Sequence, residues 1–423
     1  MKAPARVLYV AHPSPPAILS AARRTAGMTK YLSRIGYELI VLTSLASGSG
    51  AGVPEAALTI RTRDLLVSGM NPRRRSFRAL ASEAAANDYE ARPSRLAEWV
   101  VPDLGLLSWV PFALPPALEL ARRGAIDCVL TSGPPHSVHV IGLTLRRHGV
   151  PWVADLRDGW TFESSRPRFA LAPLRALDSR LERQVVTEAD QVQAVTEPIT
   201  DDLRARFGVD AVTITNGFDP DELREGELAP RPDLLDPDRQ SLVYTGTLAF
   251  NGLSPGPLLA GLRELYRRDP ERAERLEVVF AGPTTSRERE LIEAPELRGL
   301  ARSVGALPRH EALALQRAAD GLLVVTQGST SIATGKLFEY LAAGVPILVL
   351  GEQTAAARIV ERTGSGLATS ATDPDAIADG LARISAWNGA PDTQAIRDYS
   401  HPVLAGRLGE QIERARAAAS TGV

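Results

Sequence analysis

Short runs of apolar, largely β-branched residues alternate along this chain with longer segments whose apolar positions recur at helical spacing. Val7–Ala11, Leu39–Thr43, Ile126–Thr131, Trp152–Ala154, Gln191–Val195 and Val212–Thr215 read as strands. Between them, Ala22–Arg34, Ser137–His148 and Arg175–Thr187 read as helices. That alternation is the pattern of βαβ units and parallel sheets. From Asp219 to Gln240 the chain is rich in Pro, Asp, Glu and Arg and has no long apolar run, which is a linker composition. A second alternation follows, with strands at Leu242–Thr245, Leu276–Ala281, Ser303–Gly305, Gly321–Thr326 and Val345–Leu350. Its helices include Pro257–Arg268, Arg309–Ala319 and Lys336–Ala343, and the tail Gln394–Ala419 is helical with no strand after it. The prediction is an α/β chain of two Rossmann-like domains, 1–218 and 241–393, facing across a cleft. Residues 219–240 link them, and 394–423 form a helix bracing the two lobes. Ligands of such sheets sit at the carboxyl ends of the strands.

A length of 423 residues fits two cores better than one. The net charge of −2 argues against a nucleic-acid binder, which is normally basic. A single cysteine, Cys128, excludes an internal disulfide and a multi-cysteine metal site, and its apolar surroundings mark a core thiol. Val7–Ala11 is too short for a signal-peptide core, and Trp99–Leu120 is interrupted by Pro102, Asp103, Pro111, Pro115 and Pro116. A soluble, cytoplasmic protein is the expectation. The Arg-rich stretch 71–95, with Arg73, Arg74, Arg75 and Arg78, reads as a solvated face; acceptor binding or peripheral membrane contact is the other reading. The oligomeric state has no sequence signal.

Several familiar motifs are missing. "VLYVAHPSPP" shows no G-x-G-x-x-G after the first strand, and neither a P-loop nor a G-x-S-x-G elbow occurs. Of six histidines only His136 and His139 lie close together, so no metal site is expected. Three D-P-D strings, at Asp219, Asp236 and Asp373, fit helix caps or turns better than a cation site.

One stretch breaks a local rule. In "ATGKLFEYLAAGVPILVL" (Ala333–Leu350), Lys336 is one of three lysines in the chain and opens a helix. A cation there opposes the macrodipole, and it makes sense if an anion binds at the free N–H groups. The plainer alternative is a surface ion pair between Lys336 and Glu339.

"TGKLFEYLAAGVPIL", "VTITNGFDPDEL", "LVYTGTL", "VVFAGP" and "VGALPRHEALALQRAADGLLV" together resemble a GT-B glycosyltransferase of the family-4-like retaining class. "TSGPPHSVHVIGLTLRRHGVPWVADLRDGW" resembles the acceptor-domain segment of one bacterial subgroup. The resemblance implies a nucleotide sugar, UDP- or GDP-linked, as donor substrate, a hydroxyl-bearing acceptor, no further cofactor and no metal. It places the donor at Gly246, Thr247, Gly282, Leu307, Ser331, Thr334, Gly335, Lys336, Leu337 and Glu339. Glu339 matches the second glutamate of the family's E-x7-E motif, which binds ribose hydroxyls, whereas Ser331 stands where the first glutamate would be. Thr247 and Asn251 replace the Arg and Lys that usually follow the glycine turn, which leaves Lys336 as the main cation for the diphosphate. Lys336 and His136 carry the catalytic expectation, His136 as a contact to the donor sugar with a core or turn histidine as the alternative; His12, Asp155, Arg157 and Asp158 carry acceptor binding, a structural Arg157–Asp158 pair being the other reading. No dedicated base stands out, and the departing phosphate oxygen is the expected proton acceptor. A GT-B nucleotide-sugar 2-epimerase and a catalytically silent sugar-nucleotide binder are the alternatives.

Overall fold

The computed structural model describes residues 4–17, 20–48, 52–68, 95–164, 168–223, 232–248, 253–326 and 328–421. These form two compact units. The first holds the described residues up to Thr215 together with those from His401 onward, and the second runs from Asn216 to Ser400. The Arg-rich stretch as far as Ser94, and Asn251, lie outside the described residues.

The first unit is built on a seven-stranded parallel sheet of β1 (Arg6–Ala11), β2 (Glu38–Ser44), β3 (Leu58–Thr62), β4 (Cys128–Gly133), β5 (Trp152–Leu156), β6 (Gln191–Ala194) and β7 (Ala211–Thr213). Its spatial order is β3-β2-β1-β4-β5-β6-β7. The central strands are buried on both faces and so mostly apolar, with Thr131, Ser132 and Asp155 the polar exceptions in β4 and β5. Along β1, Val7, Tyr9 and Ala11 pack into one apolar cluster and Leu8 and Val10 into another. Helix His401–Thr421 covers the Val7–Tyr9 face with Leu404, Leu408 and Ile412. Cys128 is fully buried, and burial pushes its thiol well up, which keeps it protonated and inert.

The second unit carries a six-stranded parallel sheet of β8 (Gln240–Thr245), β9 (Leu276–Ala281), β10 (Ala301–Gly305), β11 (Gly321–Val325), β12 (Ile347–Leu350) and β13 (Gly366–Thr369). The order is β10-β9-β8-β11-β12-β13. In each sheet the strand order reverses once, between β1 and β4 and between β8 and β11. Those are the switch points where an open α/β sheet offers a crevice at its carboxyl edge.

Several elements differ from the sequence pattern. β3 and β13 were not foreseen; β3 lies at a sheet edge and is half-exposed or exposed along its length, so its sequence lacks an apolar run. Helix Val110–Arg122 forms despite Pro115 and Pro116 inside it. The tail is two helices, Thr393–Arg397 in the second unit and His401–Thr421 in the first, with Pro402 in the first turn of the latter. Phe218, expected at the end of the first domain, belongs to the second unit and bridges to Ser400 there, and in the expected linker Leu234 and Leu235 pack on that unit's core. Each D-P-D string is a cap or turn, since Asp219, Asp236 and Asp373 accept the N–H of Asp221, Asp238 and Asp375 at 2.9, 3.0 and 3.0 Å. Among the described residues no helix is long and apolar enough to cross a membrane, and no acid or histidine cluster could hold a metal ion.

Candidate functional site

In the second unit the candidates gather where β8 and β11 end. Gly246 leaves β8 with φ of +109°, a conformation that glycine adopts without strain, and its N–H donates to Ala281 at 2.8 Å. Gly282 leaves β9 against it: a Cβ there would stand 2.2 Å from the Gly246 carbonyl oxygen, so only glycine lets the two backbones meet. A Cβ on Gly246 would stand 3.1 Å from Lys336 Nζ. The lysine therefore reaches back from its helix to the turn after β8. Its ammonium donates to Tyr244 Oη and lies 3.8 Å from that ring's centroid. Burial holds the Tyr244 hydroxyl well above its ordinary pKa, so it meets the ammonium as a neutral acceptor. It also donates to the Thr247 carbonyl at 3.1 Å.

Helix Gly335–Ala343 opens with no acidic residue in its first turn. Its N-cap, Thr334, is extended and makes no side-chain cap bond; Thr334 Oγ1 is buried and unbonded. An uncapped helix start beside an ammonium places free N–H donors and a positive charge together, a combination suited to an anion. Leu337 is core, fully buried in the apolar cluster under the sheet. Ser331 is half-buried, in a loop pinned where Ala355 and Ala356 donate to the Thr330 and Ile332 carbonyls at 2.8 and 3.0 Å. Leu307, like Val304, is partly buried against the same core.

Glu339 is buried, and its Oε2 accepts from Arg309 Nη1 at 2.8 Å and from Gln316 Nε2 at 3.4 Å. Gln316 also donates to Thr245 Oγ1 at 2.9 Å, and Tyr340 Oη accepts the Thr245 N–H at 2.8 Å. Arg309 joins Glu222 at 2.9 Å as well. Tyr244, Arg309, Gln316 and Tyr340 were not singled out from sequence. Tyr244 stands two residues before Gly246 and Arg309 two after Leu307, so proximity to the motifs was their available signal.

In the first unit His12 follows β1. Its Nε2 lies 2.7 Å from Asp64 Oδ2, and its ring meets Trp109 edge-on at 5.1 Å. His136 follows β4 as expected, but its ring is 1% exposed and stacks on Trp160 at 4.5 Å. The expected direct contact of that ring with a sugar gives way to packing. His139 is fully buried, bonds Thr131 Oγ1 at 2.8 Å, and is pushed down to about 3 by burial, hence neutral.

Asp155 is corrected more sharply. It is 1% exposed, and its two oxygens accept from Arg24 (3.0 and 3.2 Å), Ser132 (2.7 Å) and Gln193 (3.0 Å). No lone pair is left for an acceptor hydroxyl. Arg24 in turn holds the carbonyls of Ile214 and Thr215. Arg157 is also largely buried, and clasps the Gly133 and Pro134 carbonyls that lead to His136. Asp158 alone of this trio is exposed.

Residues 21–222 match the model of Glycosyltransferase Family 4. The resemblance to family-4-like glycosyltransferases is borne out over that stretch, whereas most of the motifs that carry it, from Leu242 to Leu348, lie beyond the match. The matched stretch contains His136, Asp155, Arg157 and Asp158 and ends before the Gly246–Lys336 corner. Over 130 residues the chain is 36% identical to D-inositol 3-phosphate glycosyltransferase 2 of Catenulispora acidiphila, covering 29% of this chain and 30% of that relative's length. Sucrose-phosphate synthase from Thermosynechococcus elongatus shares the fold at a TM-score of 0.63 and 16% identity, over 98% of this chain and 100% of that one. A chain assigned as a UDP-N-acetylglucosamine 2-epimerase from Listeria monocytogenes does so at 0.57 and 15% identity, over 97% and 96%. The two-sheet α/β architecture is that of GT-B proteins, and it serves transferases and epimerases alike.

Proposed function

We propose that this protein moves a sugar from a UDP- or GDP-linked donor to the hydroxyl of an acceptor, with retention at the anomeric carbon and without a metal ion. The observation that carries the reading is the Lys336 ammonium beside the Gly246 turn, at the opening of a helix whose N-cap Thr334 is uncapped. As the sugar leaves, negative charge builds on the diphosphate. The ammonium, the N–H groups of Gly335 and Lys336 and the Thr334 hydroxyl would meet that charge without rearranging, and losing one such donor typically costs about 10²–10³ in rate. Gly246 and Gly282 let the backbone approach the phosphates, with Thr247 and Ser331 alongside. Glu339, oriented by Arg309 and Gln316, takes the ribose hydroxyls, and the Leu307 backbone faces the base. On the acceptor side the reading keeps His12 and the exposed Asp158, while Asp155, Arg157 and His136 hold the strand ends in place through Arg24, the Gly133 and Pro134 carbonyls and Trp160.

The test is a melting screen over UDP, GDP and their sugars, followed by turnover with and without candidate acceptors; binding to the folded state raises the midpoint in proportion to affinity. A transferase releases nucleoside diphosphate and makes a glycoside whose anomeric configuration matches the donor. An epimerase would convert the donor sugar with no acceptor and release no nucleoside diphosphate. If no nucleoside diphosphate shifts the midpoint, the reading fails.

A further inference from the structure

We propose that the first unit holds an oxyanion site built on Arg157, which binds a phosphate or carboxylate group carried by the acceptor; naming that ligand the acceptor rests on the transferase reading. Two guanidinium groups are buried among the described residues, Arg24 at 2% and Arg157 at 9% exposure. Arg24 is neutralised, since its Nε and Nη2 meet the two oxygens of Asp155 at 3.2 and 3.0 Å. Arg157 stands in no ion pair among the described residues. Its Nε donates to the Gly133 carbonyl at 3.3 Å and its Nη2 to the Pro134 carbonyl, and both acceptors are neutral. The N–H groups of Nη1 make no hydrogen bond among the described residues.

The groups around Arg157 do not supply its counter-charge. Asp155 is spent on Arg24, Ser132 and Gln193, and reaches Arg157 only through its field. Asp158 is exposed and forms no ion pair with its neighbour; limited solvation holds its carboxyl above the usual value in spite of Arg157. Tyr9 and His139 are neutral, because burial pushes the phenol up and the imidazole down. The buried cluster at the ends of β4 and β5 therefore holds two cations, Arg24 and Arg157, against one carboxylate, Asp155. A cation kept out of water without a counter-charge is costly, and an incoming anion removes that cost.

The place and the geometry suit a ligand. Arg157 is the first residue past β5, and its backbone N–H donates at 2.8 Å to Gly133 at the end of β4, the strand that borders the β1–β4 switch point. With Nε and Nη2 tied to carbonyls, the guanidinium plane is fixed, so Nη1 presents its N–H groups without further ordering. Such a group bonds a phosphate or carboxylate oxygen roughly twice as strongly as a neutral acceptor. A sugar hydroxyl alone would leave the charge uncompensated.

The test uses Lys336→Met protein, in which the cation at the Gly246 turn of the second unit is gone. Calorimetric titration and melting curves are run with glucose 6-phosphate, glucuronate, glucose and inorganic phosphate. At least one anionic sugar should bind and raise the midpoint while glucose does not, and the one that binds tells phosphate from carboxylate. Adding Arg157→Met should weaken that binding about 10-fold or more. Arg157→Lys should keep part of it, because the charge stays and the planar fork goes. Asp158→Asn, at an exposed position, should bind the anion about two- to fivefold more tightly, and this arm stands even where Arg157→Met folds poorly. If no anionic probe shifts the midpoint beyond an equal concentration of sodium chloride, the inference is overturned. It is equally overturned if folded Arg157→Met keeps the parental affinity, or if Asp158→Asn leaves it unchanged. A parent that answers to an anionic sugar but to neither UDP nor GDP upholds the oxyanion site and overturns the transferase reading; the reverse result overturns the site alone.

Discussion

Replacing Lys336 by methionine removes the charge and keeps most of the stem that lies beside Gly246. In the empty protein two terms oppose each other. The ammonium sits at the positive end of the Gly335–Ala343 helix, and removing it relieves about 0.3–1 kcal/mol. It also lies 3.8 Å from the Tyr244 ring centroid, a contact worth about 0.5–2 kcal/mol when partly desolvated. The net change in stability should stay within about 1–2 kcal/mol. With a nucleoside diphosphate bound, the ammonium adds a hydrogen bond to a charged group, worth about 1.5–3 kcal/mol. Affinity should therefore fall by about 10- to 150-fold, a loss read only with the ligand present. Lys336→Arg should rescue only part, because a planar fork does not replace a compact charge beside a tight turn. Melting curves with and without UDP and GDP, then calorimetric titration, give both numbers. If Lys336→Met melts several degrees lower when empty and keeps the parental ligand shift, the lysine is a structural partner of Tyr244 and the phosphate argument is wrong.

Four further outcomes are expected. Gly282→Ala must push back the Gly246 carbonyl, at a cost of about 1–3 kcal/mol, and should weaken UDP binding; an unchanged denaturant midpoint refutes the close approach. Glu339→Ala should cost about 1.5–3 kcal/mol of nucleotide affinity and erase any preference for ribo- over 2′-deoxynucleotides. The empty protein should lose stability too, since Arg309 loses a partner; an intact ribose preference would return Glu339 to a purely structural role. Asp155→Asn leaves Arg24 buried without its carboxylate and should cost about 3–5 kcal/mol. Although burial pushes Asp155 up, Arg24, Ser132 and Arg157 hold it below its unfolded value of about 3.9. Its contribution is thus complete above that value and lost as pH falls through the folded one, so acid unfolding of the parent should steepen there and that of Asp155→Asn should not. Turnover should persist in excess chelator, because the D-P-D aspartates are spent on backbone N–H groups; full loss restored by Mg²⁺ would refute this.

Two parallel sheets were legible because their central strands are buried on both faces and so appear as short, mostly apolar runs. β3 escaped because none of its five residues is buried, and β13 because Gly366 and Thr369 flank only two apolar residues, Leu367 and Ala368. The same contrast holds at the site. Lys336 stood out through a clash with its own helix, and Gly246 through its place after a strand, both effects of chain neighbours. Their meeting depends on β8 lying beside β11 in the sheet. Asp155 shows the converse: polarity at a strand end suggested a ligand contact, yet its partner Arg24 is 131 residues earlier and claims the carboxylate. His12 and Asp64 likewise pair across 52 residues. The sequence by itself determined which segments become strands and helices, and which of them break a local rule, because those are effects of spacing, capping and dipoles within a turn or two. Only the tertiary structure decided which charges are spent on each other and which stay available for a ligand, because that depends on strand order bringing distant side chains within hydrogen-bond reach.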